Sequence, residues 1–324
     1  MRETKGFALM IVIVVMLLAS FLASQLSMKV RTELLISHNV KARVVGSYLA
    51  EAGVNLAIFR VLGQKPLDLP AFGDEEEWLS FFEGFLYEFF LPLGMVTYSA
   101  GSETGKIDLN RSPQRLVELF LEYQLGEDKE EEISAIMDCL MDWRDSDDLH
   151  RINGAESEYY QSLDDPYIAR NGLIEDASEF FLVKGTEALV GKFEAMDAFS
   201  VYNTAGKINF NSLSPAMLNF VTKNNNEMIE KYREAKKEFN GTLTSAVAIE
   251  ILGEERFAEL RPYMTFASGG NKYYYIIGTG QPGLEENAAP DEENPPKATG
   301  SQHNIIMQKN GSRYNIVAWQ ERYI

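Results

Sequence analysis

Five carboxylates crowd one short stretch near the middle of the chain. Asp145, Asp147, Asp148, Glu156 and Glu158 fall within WRDSDDLHRINGAESE, beside Asn153-Gly154. Oxygen ligands gathered on a flexible turn suit calcium, a hard cation that takes roughly six to eight of them. The spacing is not that of an EF-hand: counting from Asp145, Leu149 takes the fifth position and His150 the place of the loop glycine. Composition leaves both a calcium site and a solvated acidic loop open. Other chemistry finds little material. Cys139 is the single cysteine, so no intrachain disulfide forms, and its place in IMDCLMDW at helical spacing is that of a small core residue. His38, His150 and His303 are far apart, and no glycine-rich phosphate loop follows a strand. A hydrolase would need a nucleophile beside a base, and no such pair stands out, so the chain reads as a protein without catalytic activity.

The charge balance narrows the partners. A formal net charge of −18 over 324 residues argues against nucleic acid, which needs a basic face to neutralise phosphates. A hydrophobic content of 45% is that of a globular chain with one large or two modest domains.

The elements that must carry the acidic stretch begin with MRETKGFALMIVIVVMLLASFLASQLSMKV. From Phe7 to Met28 there are 22 residues without Asp, Glu, Lys or Arg. As a helix that block is about 33 Å long, enough to cross a hydrocarbon core of roughly 30 Å. The Ala-Ser-Phe-Leu-Ala-Ser stretch also resembles a signal-peptidase site. Val45, Leu49, Ala52, Leu56 and Phe59 continue the helix with an apolar stripe, and Gly63 ends it. Basic residues lie on both sides of the block (Arg2 and Lys5 before, Lys29, Arg31, Lys41 and Arg43 after), so charge does not decide its orientation.

Beyond it, Asp74–Glu77 are expected to open an aromatic helix with Phe81, Phe85 and Phe89 on one face and Trp78 and Phe82 beside it. MVTYSAGSETGKIDLN reads as strand, turn and strand. The phrase TGKIDLNRSP (104–113) returns as AGKINFNSLSP (205–215); in each a strand ends and Ser-Pro opens a helix, with Ser112 or Ser214 at the N-cap and Pro113 or Pro215 at the first helical position. A second echo aligns 183–200 with 251–268 through Gly185/Gly253, Met196/Met264 and Ser200/Ser268. The offsets differ, so the first copy carries an insertion of about 33 residues, placed in the acidic stretch. Each copy is like a helix-hairpin-helix or SAM-like unit, but the turns LGEDKEEE and TKNNNE would repel phosphate. In the tail, NKYYYIIGTG reads as a strand, QPGLEENAAPDEENPPKATG as a mobile loop, and NIIMQKNGSRYNIVAWQE as a hairpin turning at Asn310-Gly311.

These pieces resemble the K-type minor pseudopilins of type II secretion (general secretion pathway protein K). KGFALMIVIVV is similar to a prepilin cleavage motif. DWRDSD…GAESEYY…DPYIARNG…SEFFLVKG is similar to the family's central signature, and GKINFNSLSP to its repeated phrase. The resemblance implies an α+β fold: a pilin-like long N-terminal helix on an antiparallel sheet, with a large helical insertion and a second, smaller helical repeat. It implies a leader over 1–6, a transmembrane half-helix over 7–28, a periplasmic helix and first strands over 29–109, an inserted α-domain with the acidic segment over 110–197, and the second repeat with the last strands over 198–324. Prepilin peptidase would cut between Gly6 and Phe7 on the cytoplasmic side, leave the apolar helix attached and expose Phe7 for N-methylation. The fifth mature position, glutamate in most pilins, is Ile11 here, as in K-type subunits, and suits a place at the filament tip. The resemblance also turns the acidic stretch into a structural calcium site. Asp145, Asp147 and Glu156 match its D-x-D and G-A-E elements, with Asp142, Asp148, Glu158 and Asn171 as further candidates. Implied partners are the I- and J-type and then the H-type minor pseudopilins, the major pseudopilin filament, the inner-membrane assembly platform, and the secretin or secreted cargo. The implied location is a single pass of the bacterial inner membrane with the bulk of the chain in the periplasm. The nearest alternative is a minor pilin of a type IV pilus or competence system.

Overall fold

A computed structural model describes residues 4–63, 81–269, 271–283 and 300–324. One helix, α1 (Thr4–Leu62), runs unbroken from the apolar block into the head and stops at Gly63, whose φ of +68° suits a residue without a Cβ. Its apolar side chains from Leu9 through Leu26 are exposed, and among the described residues it is the one helix long and apolar enough to cross a membrane.

The second half of α1 lies on a five-stranded antiparallel sheet ordered β1-β2-β7-β8-β9. Its strands are β1 (Leu86–Leu91), β2 (Gly94–Ser102), β7 (Tyr273–Pro282), β8 (Ser301–Asn310) and β9 (Arg313–Tyr323). The buried face of α1 is not the expected stripe. Leu49 and Leu56 are buried, but Phe59 is exposed and Val45 and Ala52 are only partly covered. The face centres instead on Gly46, Ala50, Gly53, Val54, Ala57 and Val61. The reason is proximity: a Cβ at Gly280 of β7 would stand 2.2 Å from the Gly46 carbonyl, and one at Gly278 2.4 Å from that of Ala50. Small residues let helix and sheet backbones touch, and the larger apolar groups pack at the margins. Where its packed half begins, α1 is tied to β8 by Ser47 Oγ against His303 Nε2 at 3.1 Å, and near its C-terminus by Lys309 Nζ donating to the Val61 carbonyl at 2.6 Å.

The aromatic segment also departs from expectation. Residues 74–80 lie outside the described residues, and Phe89 sits in a strand, β1, which pairs with β2 in the register Leu86↔Ser99 to Leu91↔Gly94. Five of the six residues of LYEFFL are aromatic or aliphatic, types that favour strands, and β2 offers their backbone a ladder along one edge. The tail strands form as read, but the turn between β8 and β9 lies one residue later than expected: Asn310 still pairs with Arg313, and Gly311-Ser312 make the two-residue loop. The acidic loop before β8 falls at 284–299, outside the described residues.

β2 and β7 are neighbours in the sheet, yet residues 103–272 separate them in sequence. That insertion holds both repeats around one hydrophobic cluster reaching from Ile107 to Met264. The helices are α2 (Gln114–Leu125), α3 (Glu130–Arg144), α4 (Ser157–Gln161) and α5 (Ala195–Ala198) in the first copy. The second copy has α6 (Pro215–Thr222), α7 (Asn226–Glu238), α8 (Ser245–Leu252) and α9 (Glu254–Leu260). A two-residue parallel bridge closes each. β3 (Ile107–Asp108) pairs with β4 (Phe199–Ser200), and β5 (Ile208–Asn209) with β6 (Met264–Thr265). Phe199 therefore corresponds to Met264, three residues out of step with the phrase alignment through Met196. The turns after the bridges match as well: Asp108 Oδ1 accepts from the Asn110 amide at 2.9 Å, and Asn209 Oδ1 from that of Asn211 at 3.1 Å.

The two Ser-Pro steps differ. Ser214 caps α6, accepting from the Met217 amide at 3.2 Å with Pro215 at the first helical position. In the first copy the link from Asn110 is one residue shorter; Ser112 Oγ turns back to accept from the Asp108 amide at 2.9 Å, and α2 starts at Gln114 without a side-chain cap. Ser214 Oγ also donates to the Asp197 carbonyl. Ser214→Ala removes both bonds at a buried position and is expected to cost about 1–2 kcal/mol in urea unfolding.

Candidate metal centre

The acidic stretch is the loop that leaves α3 and enters α4. Asp142 lies in the last turn of α3, Asp145 follows it at the C-cap, and Glu156 stands immediately before α4. The scaffold beneath is aromatic. The Trp143 ring meets those of Tyr160 and Tyr167 edge-on, at 5.0 and 6.1 Å between centroids. The Asn171 amide donates to the Trp143 carbonyl at 3.0 Å, which holds the DPYIARNG segment against the end of α3.

The loop is pinned at three points. Cys139 donates from Sγ to the Asn153 carbonyl at 3.2 Å, and Asp138 accepts from the Asn153 amide at 3.2 Å. Burial pushes the Cys139 thiol up to about 11, so it stays protonated and acts as a donor rather than a nucleophile. Asp142 Oδ2 accepts from the Arg151 amide at 3.0 Å. Gly154 is required beside it, because a Cβ there would stand 1.7 Å from Asp142 Oδ2. This is a reason for glycine in Asn-Gly-Ala-Glu that positive φ does not supply.

One oxygen each from Asp145, Asp147 and Glu156 lie within 4.8 Å of one another. These are the three positions matched to the D-x-D and G-A-E elements. Glu156 is buried, with 7% of its surface exposed, and neither of its carboxylate oxygens has a hydrogen-bond partner. Asp145 Oδ1 and the side-chain oxygen of Asn171 are likewise buried and unpartnered. Asn171 adopts a left-handed backbone with φ of +47°, a conformation asparagine tolerates better than most residues. Burial first, and then the charges of Asp142, Asp145, Asp148 and Asp147, push the Glu156 carboxyl up to about 7.

The remaining candidates sit differently. Asp142 is fully buried and both its oxygens are engaged, Oδ1 by the Arg151 guanidinium and Oδ2 by the Arg151 amide. Asp148 and Glu158 are exposed along the adjoining cleft, outside the close group. Asp147 is exposed, and its Oδ1 accepts from the Leu149 amide at 2.9 Å. The sequence reading missed Arg151, which bridges Asp142 and Asp145 through Nη1. Its signal was available: besides Arg144, it is the only basic side chain of the loop that is not histidine. Arg144 turns away and donates to the Leu109 carbonyl.

Unpartnered buried oxygens are costly, and several converging on one point are what a hard cation relieves. The donor set is all oxygen, which suits calcium over zinc or copper. The residues therefore fit such an ion. As for processing, α1 passes through Gly6 and Phe7 without interruption and Phe7 is exposed.

Residues 102–192 match the family model described as type II secretion system (T2SS), protein K. That match covers the first repeat up to residue 192, short of α5 and β4, and includes the whole acidic loop. Among solved structures, the chain is similar to a chain of the GspK-GspI-GspJ complex from the type 2 secretion system of enterotoxigenic Escherichia coli. The TM-score is 0.50 at 13% identity, covering 88% of this chain and 97% of that one. No curated protein matches the sequence.

Proposed function

We propose that this chain is a K-type minor pseudopilin of type II secretion, a reading supported by its matched domain and its fold, and that it caps the tip of the pseudopilus and helps to start its assembly. The observation that carries the reading is the insertion of the matched domain between adjacent strands β2 and β7. A subunit of a helical filament must leave room above itself for the next one. Here residues 103–272 stand out from the sheet, a bulk that favours a terminal position. Ile11, where most pilins keep glutamate, points the same way: with no acid to pair with a neighbour's amine, the subunit needs no partner above it.

In this reading prepilin peptidase cuts between Gly6 and Phe7, and the mature chain keeps α1 as a single inner-membrane pass with its head in the periplasm. The exposed apolar half of α1 packs against the helices of I- and J-type subunits and, below them, the H-type and major pseudopilins. The assembly platform, secretin and cargo are further contacts of the same role. Asp145, Asp147, Glu156 and Asn171 would hold a structural calcium ion. When bound, the ion neutralises mutual repulsion and fixes the loop between α3 and α4. The role is one of assembly, without chemistry of its own. Purification with I- and J-type pseudopilins tests it. A stable ternary complex is expected, and a chain that elutes alone in the presence of both would count decisively against a tip position.

A further inference from the structure

The acidic nest already contains a cation. The Arg151 guanidinium bridges Asp142 Oδ1 and Asp145 Oδ2, the latter at 2.7 Å. Asp145 Oδ1, both Glu156 oxygens and the Asn171 oxygen remain buried and unpartnered. Asp145 is therefore shared: its Oδ2 pairs with the arginine, its Oδ1 is left unpartnered, and the same carboxylate belongs to the close group with Asp147 and Glu156.

We infer that Arg151 is a built-in counter-cation that keeps the nest folded without metal and, by sharing Asp145, lowers its affinity for a divalent ion. The inference rests on the calcium reading above and goes beyond it, since it gives a non-ligand control of occupancy. Two effects follow from one charge. A fully buried Asp142 without its arginine would be an uncompensated charge, and such losses destabilise strongly. A positive charge a few ångströms from an entering divalent ion repels it, and the side chain's partial exposure screens only part of that repulsion. Arg151 thus trades affinity for stability of the empty loop. In the secretion pathway this would leave occupancy responsive to the surrounding calcium level instead of permanently saturated.

The test uses the full-length chain in detergent, first stripped with a chelator and then titrated with calcium chloride by calorimetry, with thermal melts of both forms. Arg151→Gln is expected to bind calcium roughly tenfold more tightly than wild type and to melt lower in chelator. If the variant does not fold in chelator, added calcium is expected to restore it, because the ion replaces the lost charge. Arg151→Lys, which keeps the charge, is expected to stay within about threefold of wild type. Equal or weaker binding in Arg151→Gln, no recovery with calcium, or the same gain in Arg151→Lys would each overturn the inference. A wild-type chain that binds no calcium while Arg151→Gln does would still support it. Silence from both would instead reject the calcium reading and the inference with it.

Discussion

Gly280→Val is expected to lift α1 off the sheet and to cost about 3 kcal/mol or more, the upper end of what an overpacked site loses. The clash is with backbone, which cannot move aside as a side-chain tip can. A Cβ at position 280 would stand 2.2 Å from the Gly46 carbonyl oxygen and 2.5 Å from the Ala50 nitrogen. Raising the helix by the ångström or more needed opens the cluster of Val54, Ala57, Ile58 and Val61 against Tyr274, Ile276, Ile305 and Met307. Dispersion falls steeply with such a gap, so the whole cluster is affected, not one contact. Denaturant unfolding of the detergent-solubilised chain measures the loss. Gly311→Ala is the control: its φ of +66° strains an alanine, but nothing lies within 4 Å of the added methyl, so about 1 kcal/mol is expected. A Gly280 variant no worse than that control would show that the backbones are not in contact.

The second large effect is that of calcium and pH together. Under the calcium proposal, the ion at about a hundred times its dissociation constant is expected to add about 2.7 kcal/mol of stability by linkage, a rise in melting temperature of about 5 °C. The pH dependence has opposite signs in the two states. Without the ion, the Glu156 carboxyl sits at about 7 in the folded chain against an ordinary value of 4.5. Between those values the folded state binds more protons than the unfolded one, so stability rises as pH falls from 7.5 toward 5. With the ion, the carboxylate must be ionised to serve as a ligand, and protons compete with calcium. The calcium-dependent rise is therefore expected to be full at pH 8 and less than half as large at pH 5.5. Melts at both pH values, with calcium and with chelator, give the four numbers required. A calcium effect that grows on acidification would exclude Glu156 as a ligand.

What could be read from the sequence divides along physical lines. The long helix was legible because 22 uncharged residues leave few other solutions, and the last hairpin because a glycine between two β-forming runs marks a tight turn, although the loop proves to be Gly311-Ser312 and not Asn310-Gly311. Composition marked only a loop with five carboxylates; that Asp145, Asp147 and Glu156 are the three that close up was implied by the family resemblance, through its D-x-D and G-A-E elements. The buried face of α1 was not. Its stripe was sought among large apolar residues, whereas contact is set by Gly46, Ala50 and Gly53 meeting glycines more than two hundred positions away. The segment at Phe89 failed for a related reason: aromatic residues at four-residue spacing fit a helix, and only pairing with β2 decides for a strand. Ser112 shows how fine the margin is. One residue fewer in the link than at Ser214 redirects its hydroxyl from capping a helix to bracing a strand. Arg151 carries a signal of a different kind, a lone base among acids, which counting possible ligands passes over.

The two short parallel bridges bear on how such a head can change. Ile107↔Phe199 and Ile208↔Met264 hold each repeat shut by main-chain bonds between its ends. A segment anchored at both feet can lengthen at little entropic cost, since closing a longer loop is only slightly harder than closing a short one. The first repeat therefore works as a socket: new material enters between the feet, as the acidic loop between α3 and α4 does, while the anchoring bridge stays in place. Lineages could exchange this crown, acidic nest included, without redesigning the shaft on which it is carried.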